Sequence, residues 1–111
     1  MKRLLAAVSA LALTTLLHAQ DWAQVNELYS AGLYSEVIRL VGNADSDTAE
    51  GYRALCALRM RLPGAFDRAE SFLKNSHEHI LAPQVCYRMA LDLFDAGQYS
   101  EALRRFNSIS R

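Results

Sequence analysis

Apolar residues recur every three or four positions along most of this chain, the spacing of one face of an α-helix. No segment alternates strictly between apolar and polar residues, so no strand is expected. The pattern predicts an all-α fold of six helices. They span about 22–31, 35–41, 48–61 and 65–75, then a fifth from Pro83 to just before Gly97 and a sixth that carries Ala102 to Ile109.

Turn-forming residues divide these helices into three pairs. Gly32 and Gly97 each follow a periodic segment and predict its end, because glycine tolerates the left-handed conformation that closes a helix. Pro63 and Gly64 break the chain between the third and fourth helices. Asp47 followed by Glu50 resembles a capping box and predicts the start of the third helix.

The segment Ser30–Val37 is nearly repeated as Asp95–Ala102, with a weaker copy at Gly64–Ala69. The glycines fall at positions 32, 64 and 97, and a period near 33 residues indicates an array of helical repeats. The predicted repeat region covers residues 20–111, with units at about 20–46, 47–80 and 81–111. Such units bury their apolar faces by stacking on one another.

The first nineteen residues predict a secretory signal peptide. A basic start at Lys2 and Arg3 precedes an uncharged apolar run from Leu4 to Leu17, and polarity returns at His18. Cleavage after Ala19 is expected, and an uncleaved N-terminal anchor is the alternative. Export would place the protein in the periplasm or associated with the cell envelope.

The chain stops at Arg111, at the close of a strong helical pattern. A repeat array needs a terminal element with a polar outer face. We therefore expect these repeats to be the N-terminal part of a longer array. The alternative is a small domain that forms homo-oligomers through its open C-terminal repeat end.

Charge and cysteine content narrow the possible functions. Without Lys2 and Arg3, ten basic residues face twelve acidic ones, a net charge of −2, so nucleic-acid binding has no electrostatic support. Cys56 and Cys86 both lie in apolar helical segments. A disulfide in an oxidising compartment and two free buried thiols are both compatible with this placement.

No constellation of residues typical of catalysis is present. The cluster His77-Glu78-His79 places its histidines two residues apart, which on a helix directs them to different faces. We expect a solvated helix end there rather than a metal site. The chain has no glycine-rich phosphate loop and no nucleophile-elbow motif. The prediction is a non-enzymatic protein with no cofactor, metal or small-molecule substrate.

The third unit resembles the centre of a tetratricopeptide repeat. In that family a glycine between the helices is followed by an aromatic, a small residue and a second aromatic. Gly97, Tyr99, Ala102 and Phe106 stand at those positions, and Ala90 matches a small residue seven before the glycine. Corresponding motif residues in the other units are Gly32 and Tyr34, and Gly64, Phe66 and Ala69.

This resemblance implies a right-handed α-solenoid of antiparallel helix pairs whose first helices line a concave face that holds a peptide or protein segment. Val37 and Val41 depart from the family's alanine and aromatic, which implies looser packing in the first unit. The alternative is an accessory module of a larger enzyme or sensor. By analogy with the family, the candidate binding residues are Trp22, Asn26, Tyr29, Leu58, Arg61, Gln84, Tyr87, Leu91 and Phe94.

Overall fold

The computed structural model describes residues 21–109, which form six helices and no strand. The predicted signal peptide, residues 1–19, lies outside the described residues, as do Ser110 and Arg111. The all-α prediction is confirmed for the described part, and the observed bounds lie close to the predicted ones. The helices are α1 (Trp22–Ser30), α2 (Tyr34–Val41), α3 (Asp47–Met60), α4 (Ala65–Asn75), α5 (Ala82–Asp95) and α6 (Tyr99–Ile109).

Each helix packs against the next one along the chain, and α3 also packs against α5. The tightest association is between α5 and α6, followed by that between α3 and α4. None of the helices within residues 21–109 combines the length and apolar character needed to cross a membrane.

Helix α3 is buried on nearly all sides. The sequence pattern gives Tyr52, Leu55, Cys56 and Leu58 as its apolar residues, and all four are buried, but the buried surface is wider. Alanine and glycine fill the remaining positions, and their small side chains let the neighbouring helices approach closely. The buried residues of α3 are Ala49, Gly51, Tyr52, Ala54, Leu55, Cys56, Ala57 and Leu58.

Gly51 marks the closest approach to α3. A Cβ atom at this position would lie 2.8 Å from Leu81 Cδ1 and 3.1 Å from Phe72 Cζ. The absence of a side chain therefore lets Leu81, which precedes α5, and Phe72 of α4 rest directly on α3. This packing joins three helices at one point.

In each pair the first helix closes with the same type of backbone hydrogen bond. An N–H group just beyond the helix donates to the carbonyl five residues earlier, as in a Schellman motif. The N···O distances are 3.0 Å from Leu33 to Leu28, 3.0 Å from Leu62 to Ala57 and 2.9 Å from Gln98 to Leu93.

The start of α3 differs from the predicted capping box. Ser46 is the N-cap residue, and its Oγ accepts a hydrogen bond from the Ala49 backbone N–H at 3.1 Å. Asp47 is the first residue inside the helix, so the prediction that Asp47 and Glu50 form the box was wrong. Serine and aspartate are both good caps, and the alternation Asp45-Ser46-Asp47 gave three adjacent candidates.

His79 also departs from the predicted solvated helix end, whereas His77 is exposed as expected. The Nδ1 atom of His79 accepts a hydrogen bond from the Leu81 N–H at 3.0 Å, and Nε2 lies 3.0 Å from Thr48 Oγ1. Because Nδ1 is the acceptor, Nε2 carries the proton and donates to the threonine. The ring also packs edge-on against Phe72, so His79 connects α3, α4 and the start of α5.

Two arginine side chains connect segments of the chain through hydrogen bonds and an ion pair. Arg53 Nη2 donates to the backbone carbonyls of Gly42 and Ala44 at 2.9 and 2.7 Å, which attaches the α2–α3 loop to α3. Arg105 on α6 pairs with Glu70 on α4. These contacts pair a guanidinium with loop carbonyls and another with a carboxylate within the fold itself.

Both cysteines are free and buried. Burial raises the pKa of the Cys56 thiol to about 12. The Cys86 Sγ lies 3.5 Å from the Arg105 carbonyl oxygen and 3.4 Å from Ser108 Oγ. Of the two readings left open by the sequence, the structure has two separate thiols.

We expect Gly51→Val to lower the free energy of unfolding by about 1–3 kcal/mol, because its side chain overpacks the contact with Leu81 and Phe72. Urea unfolding followed by circular dichroism measures this change. Ser71→Val, at an exposed position of α4, is the control and should stay within about 0.5 kcal/mol of the wild type. Equal effects of the two substitutions would contradict close packing at Gly51.

We expect Cys56 to make the fold sensitive to alkali. The pKa of its thiol is raised from an ordinary value of 9.0 to about 12, so the unfolded chain loses this proton first. The stabilisation is complete below pH 9 and is lost as the pH rises toward 12. Urea midpoints measured across this range should fall less steeply for Cys56→Ala than for the wild type. Parallel pH profiles would show that the thiol does not contribute.

Candidate binding groove

A groove of about 520 Å³ lies between the α3–α4 turn and the C-terminal end of α5. Its size falls within the range of pockets that hold small ligands or side chains. The residues that line it come from three helices and two turns: Leu58, Arg61, Leu62, Gly64, Ala65, Phe66, Asp67, Asp92, Asp95 and Ala96.

The floor of the groove is apolar and its rim is charged. Leu58 is only 3 % exposed and is held there by the packing of α3. Phe66, on the first turn of α4, is half-buried beside it. Asp67 follows Phe66 on α4, and Asp95 is the last residue of α5. The groove therefore combines an apolar surface with carboxylates in its lining.

A second cavity of about 260 Å³ shares Leu58, Arg61 and Asp92 with this groove. Its other lining residues are Tyr34, Arg59 and Arg88. The shared residues make the two cavities neighbouring parts of one surface. The surface is basic toward Arg59 and acidic toward Asp67.

Some charges in the groove are paired and others are not. Arg88 donates to Asp92 Oδ1 at 2.8 and 3.2 Å through Nη2 and Nε. In the other cavity, Arg59 Nε donates to the Tyr34 hydroxyl oxygen at 2.7 Å. Within residues 21–109, Asp67, Asp95 and Arg61 take part in no ion pair or side-chain hydrogen bond. Their charges are available to a bound molecule.

Arg61 has a backbone conformation that is unusual for its residue type. It is the one non-glycine residue with positive φ among the described residues, with φ of 55°. It closes α3 with the same hydrogen bonds by which Gly32 and Gly97 close α1 and α5, and those glycines have φ of 80° and 81°. Arg61 thus occupies the position at which the other two pairs have glycine. This residue with a strained backbone also lines the groove.

Gly64 aligns with Gly32 and Gly97 in the sequence repeat, but it has a different structural role. Gly64 is the N-cap of α4, with φ of 76°, and begins the second helix of its pair rather than closing the first. Of the other motif residues, Ala69, Ala90 and Ala102 are buried. Their small side chains lie where helices meet.

The predicted binding residues of α1 surround a tyrosine that was not among them. Trp22 stacks on Tyr52 with ring centroids 5.9 Å apart, and Tyr29 packs edge-on against it at 6.2 Å. The Tyr52 hydroxyl donates to Asn26 Oδ1 at 3.3 Å. Burial raises the pKa of Tyr29, an effect that Arg59 opposes. Much of this aromatic surface is used for contact between α1 and α3.

The predicted residues of α5 lie partly toward α6. Tyr87 packs against Phe106 with centroids 5.7 Å apart, and Phe94 packs against Tyr99 at 5.0 Å. Tyr87 and Phe94 nevertheless remain more than half exposed. Gln84 is exposed, and Leu91 is half-buried.

The structure therefore brings Leu58 and Arg61 into one groove. Trp22, Asn26 and Tyr29 lie around Tyr52, and Tyr87 and Phe94 each pack against an aromatic ring of α6. Gln84 and Leu91 do not line the groove. The sequence analysis missed Asp67, Asp92 and Asp95. The sequence indicated them only indirectly, through their positions near Gly64 and Gly97, the turn residues of the predicted second and third units. Charged residues at such helical positions are normally interpreted as a solvent-exposed face.

Among the described residues, no group of three or more His, Cys, Asp or Glu side chains is arranged to hold a metal ion. The described residues that line the groove contribute carboxylates, a guanidinium and apolar side chains, with no histidine or cysteine among them.

No family model, curated protein or solved structure matches this chain.

We expect Arg61→Gly to raise the free energy of unfolding by about 0.5–1 kcal/mol. Glycine relieves the left-handed strain, and part of that gain is offset by greater freedom of the unfolded chain. The reciprocal change, Gly97→Ala, should destabilise by about 1 kcal/mol, although a Cβ there meets no atom within 4 Å. Urea unfolding of both variants measures the effects. Destabilisation by Arg61→Gly would show that the arginine side chain supports the fold.

Proposed function

We propose that this protein is a non-enzymatic scaffold that binds a peptide or protein segment on one face of a tetratricopeptide-like superhelix. The segment lies in the groove between the α3–α4 turn and the end of α5. Leu58 and Phe66 supply apolar contact, and the charged rim supplies specificity. No cofactor takes part.

The packing of the helices supports a repeat arrangement. Consecutive helices contact one another, and the first helices of the second and third pairs, α3 and α5, also pack together. Contacts between corresponding helices of successive pairs are typical of stacked hairpin repeats. The same closing hydrogen bonds recur in all three pairs, as expected of one structural unit used three times.

The observation that carries the proposal is the groove itself. It combines an apolar floor with charged groups that have no partner within the described chain. Pockets that hold ligands have this composition of mostly apolar walls and a few placed polar groups. Arg61, held in a strained conformation at the shared edge of both cavities, adds a feature that folding alone does not require.

The cell envelope is the proposed location, on the basis of the leader predicted for residues 1–19. A protein with that leader would meet its partner after export. The partner is thus proposed to be an envelope or exported protein.

Self-assembly is a second candidate, favoured by the outer face of the last helix pair. Tyr87 and Phe94 on α5 and Tyr99 and Leu103 on α6 are each more than half exposed. Exposed apolar side chains that lie close together, as Phe94 and Tyr99 do, are often part of an interaction site. Its signature would be a molecular mass that rises with protein concentration in the absence of any partner.

We expect a bulky side chain in the groove to prevent the partner from binding. Ala96 lines the groove and is exposed, so Ala96→Trp should fill it without disturbing the core. In a quantitative pull-down from an envelope extract, the full chain should retain a partner that the Ala96→Trp variant loses. With the purified partner, the affinity should fall about tenfold or more, as expected when a buried apolar contact is blocked.

Ala31→Trp is the matched control, because Ala31 is also exposed and occupies the equivalent C-cap of α1, outside the groove. The control should retain the partner. Equal retention or equal loss by the two tryptophan variants would contradict the groove as the binding site. Sedimentation of the wild type alone over a range of concentrations measures self-assembly directly.

A further inference from the structure

We propose that the groove selects an extended segment in which a lysine or arginine lies next to an aromatic or aliphatic residue. This inference rests on the proposed function and adds the chemistry of the partner. The basic side chain pairs with Asp67 and Asp95, which both line the groove. Its apolar neighbour contacts Leu58 and Phe66.

The apolar half of this specificity follows from the shape and composition of the groove. The cavity of about 520 Å³ can hold a large side chain together with adjoining backbone. Leu58 forms a buried floor, and Leu62 and Phe66 add apolar surface beside it. An aromatic or branched aliphatic side chain would remove this surface from water.

The preference for a lysine or arginine follows from the unpaired charged residues that line the groove. Asp92 is neutralised by Arg88 through two hydrogen bonds. Asp67 and Asp95 have no such partner among the described residues, and Arg61 is the single unpaired cation in the lining. The groove therefore carries a surplus of negative charge, which is complementary to a basic side chain.

Asp95 strengthens this inference because its position is locally unfavourable. It is the last residue of α5, where the negative end of the helix dipole disfavours a carboxylate and favours a cation. Residues that break a local rule without compensation inside the fold are expected at functional sites. A bound lysine or arginine would be attracted by both the carboxylate and the helix end.

Arg61 determines the orientation in which the partner segment binds in the groove. Its guanidinium repels a basic side chain at the edge shared with the second cavity. The favourable place for the partner's cation is consequently near Asp67 and Asp95, which line the groove but not the second cavity. The apolar neighbour then lies over Leu58 and Phe66.

The first experiment selects random peptides for binding to the full chain, with the Ala96→Trp variant used to remove peptides that bind elsewhere. We expect the groove-dependent peptides to be enriched in lysine or arginine adjacent to an aromatic or aliphatic residue. Replacing that basic residue by glutamine in a selected peptide should weaken binding about fivefold, the effect of a partly exposed ion pair. Binding should also weaken as salt is raised.

The second experiment removes the two carboxylates. The double variant Asp67→Asn, Asp95→Asn should bind a selected peptide about tenfold more weakly, since two partly exposed ion pairs are lost. Asp45→Asn with Glu78→Gln changes the net charge equally at exposed positions outside the groove, and should leave the affinity unchanged. Circular dichroism and thermal unfolding verify that all variants are folded.

The outcomes separate this inference from the proposed function. Groove-dependent peptides that lack basic residues, or that bind the double aspartate variant as tightly as the wild type, would overturn the inference and leave the groove as a binding site. If every selected peptide also binds the Ala96→Trp variant, both the inference and the proposed function fail.

Discussion

Burial of α3 on nearly all sides is the constraint on which the rest of the structure depends. The helix achieves it with small residues, and at Gly51 there is room for no side chain at all beside Leu81 and Phe72. Close approach of the surrounding helices fixes where α3 ends relative to α4 and α5. The groove lies at that end, so its shape follows from the packing of a helix that contributes only Leu58 and its C-cap residue, Arg61, to it.

Several charged and polar groups outside the groove have partners within the fold, whereas, in the part of the chain that the structure describes, two carboxylates that line the groove do not. Arg53 binds loop carbonyls, Arg105 pairs with Glu70 across two helices, and His79 uses both ring nitrogens within the fold. These groups have internal partners because an unpaired buried polar group is costly. Asp67 and Asp95 have none among the described residues, and this contrast gives the groove its electrostatic character.

Backbone strain occurs in the same place. Three helices close with equivalent hydrogen bonds, and two of them use glycine at the left-handed position. The third uses Arg61 and accepts the unfavourable contact between its Cβ and the backbone. A strained arginine and a carboxylate at the wrong end of a helix dipole thus share one cavity, and binding of an external group is a single explanation for both.

The sequence by itself determined the helices and their pairing, because helical periodicity and turn residues such as Gly32 and Gly97 act locally. It also indicated Leu58 and Arg61 as binding candidates, through a resemblance at repeat positions. Only the tertiary structure decided that α3 is buried all round, since alanine and glycine carry little signal of burial in a sequence. It also decided that Ser46 caps α3, that His79 is an internal connector, and that Asp67 and Asp95, far apart in the chain, line the same groove. Such pairings depend on how helices pack, which periodicity within one helix does not encode.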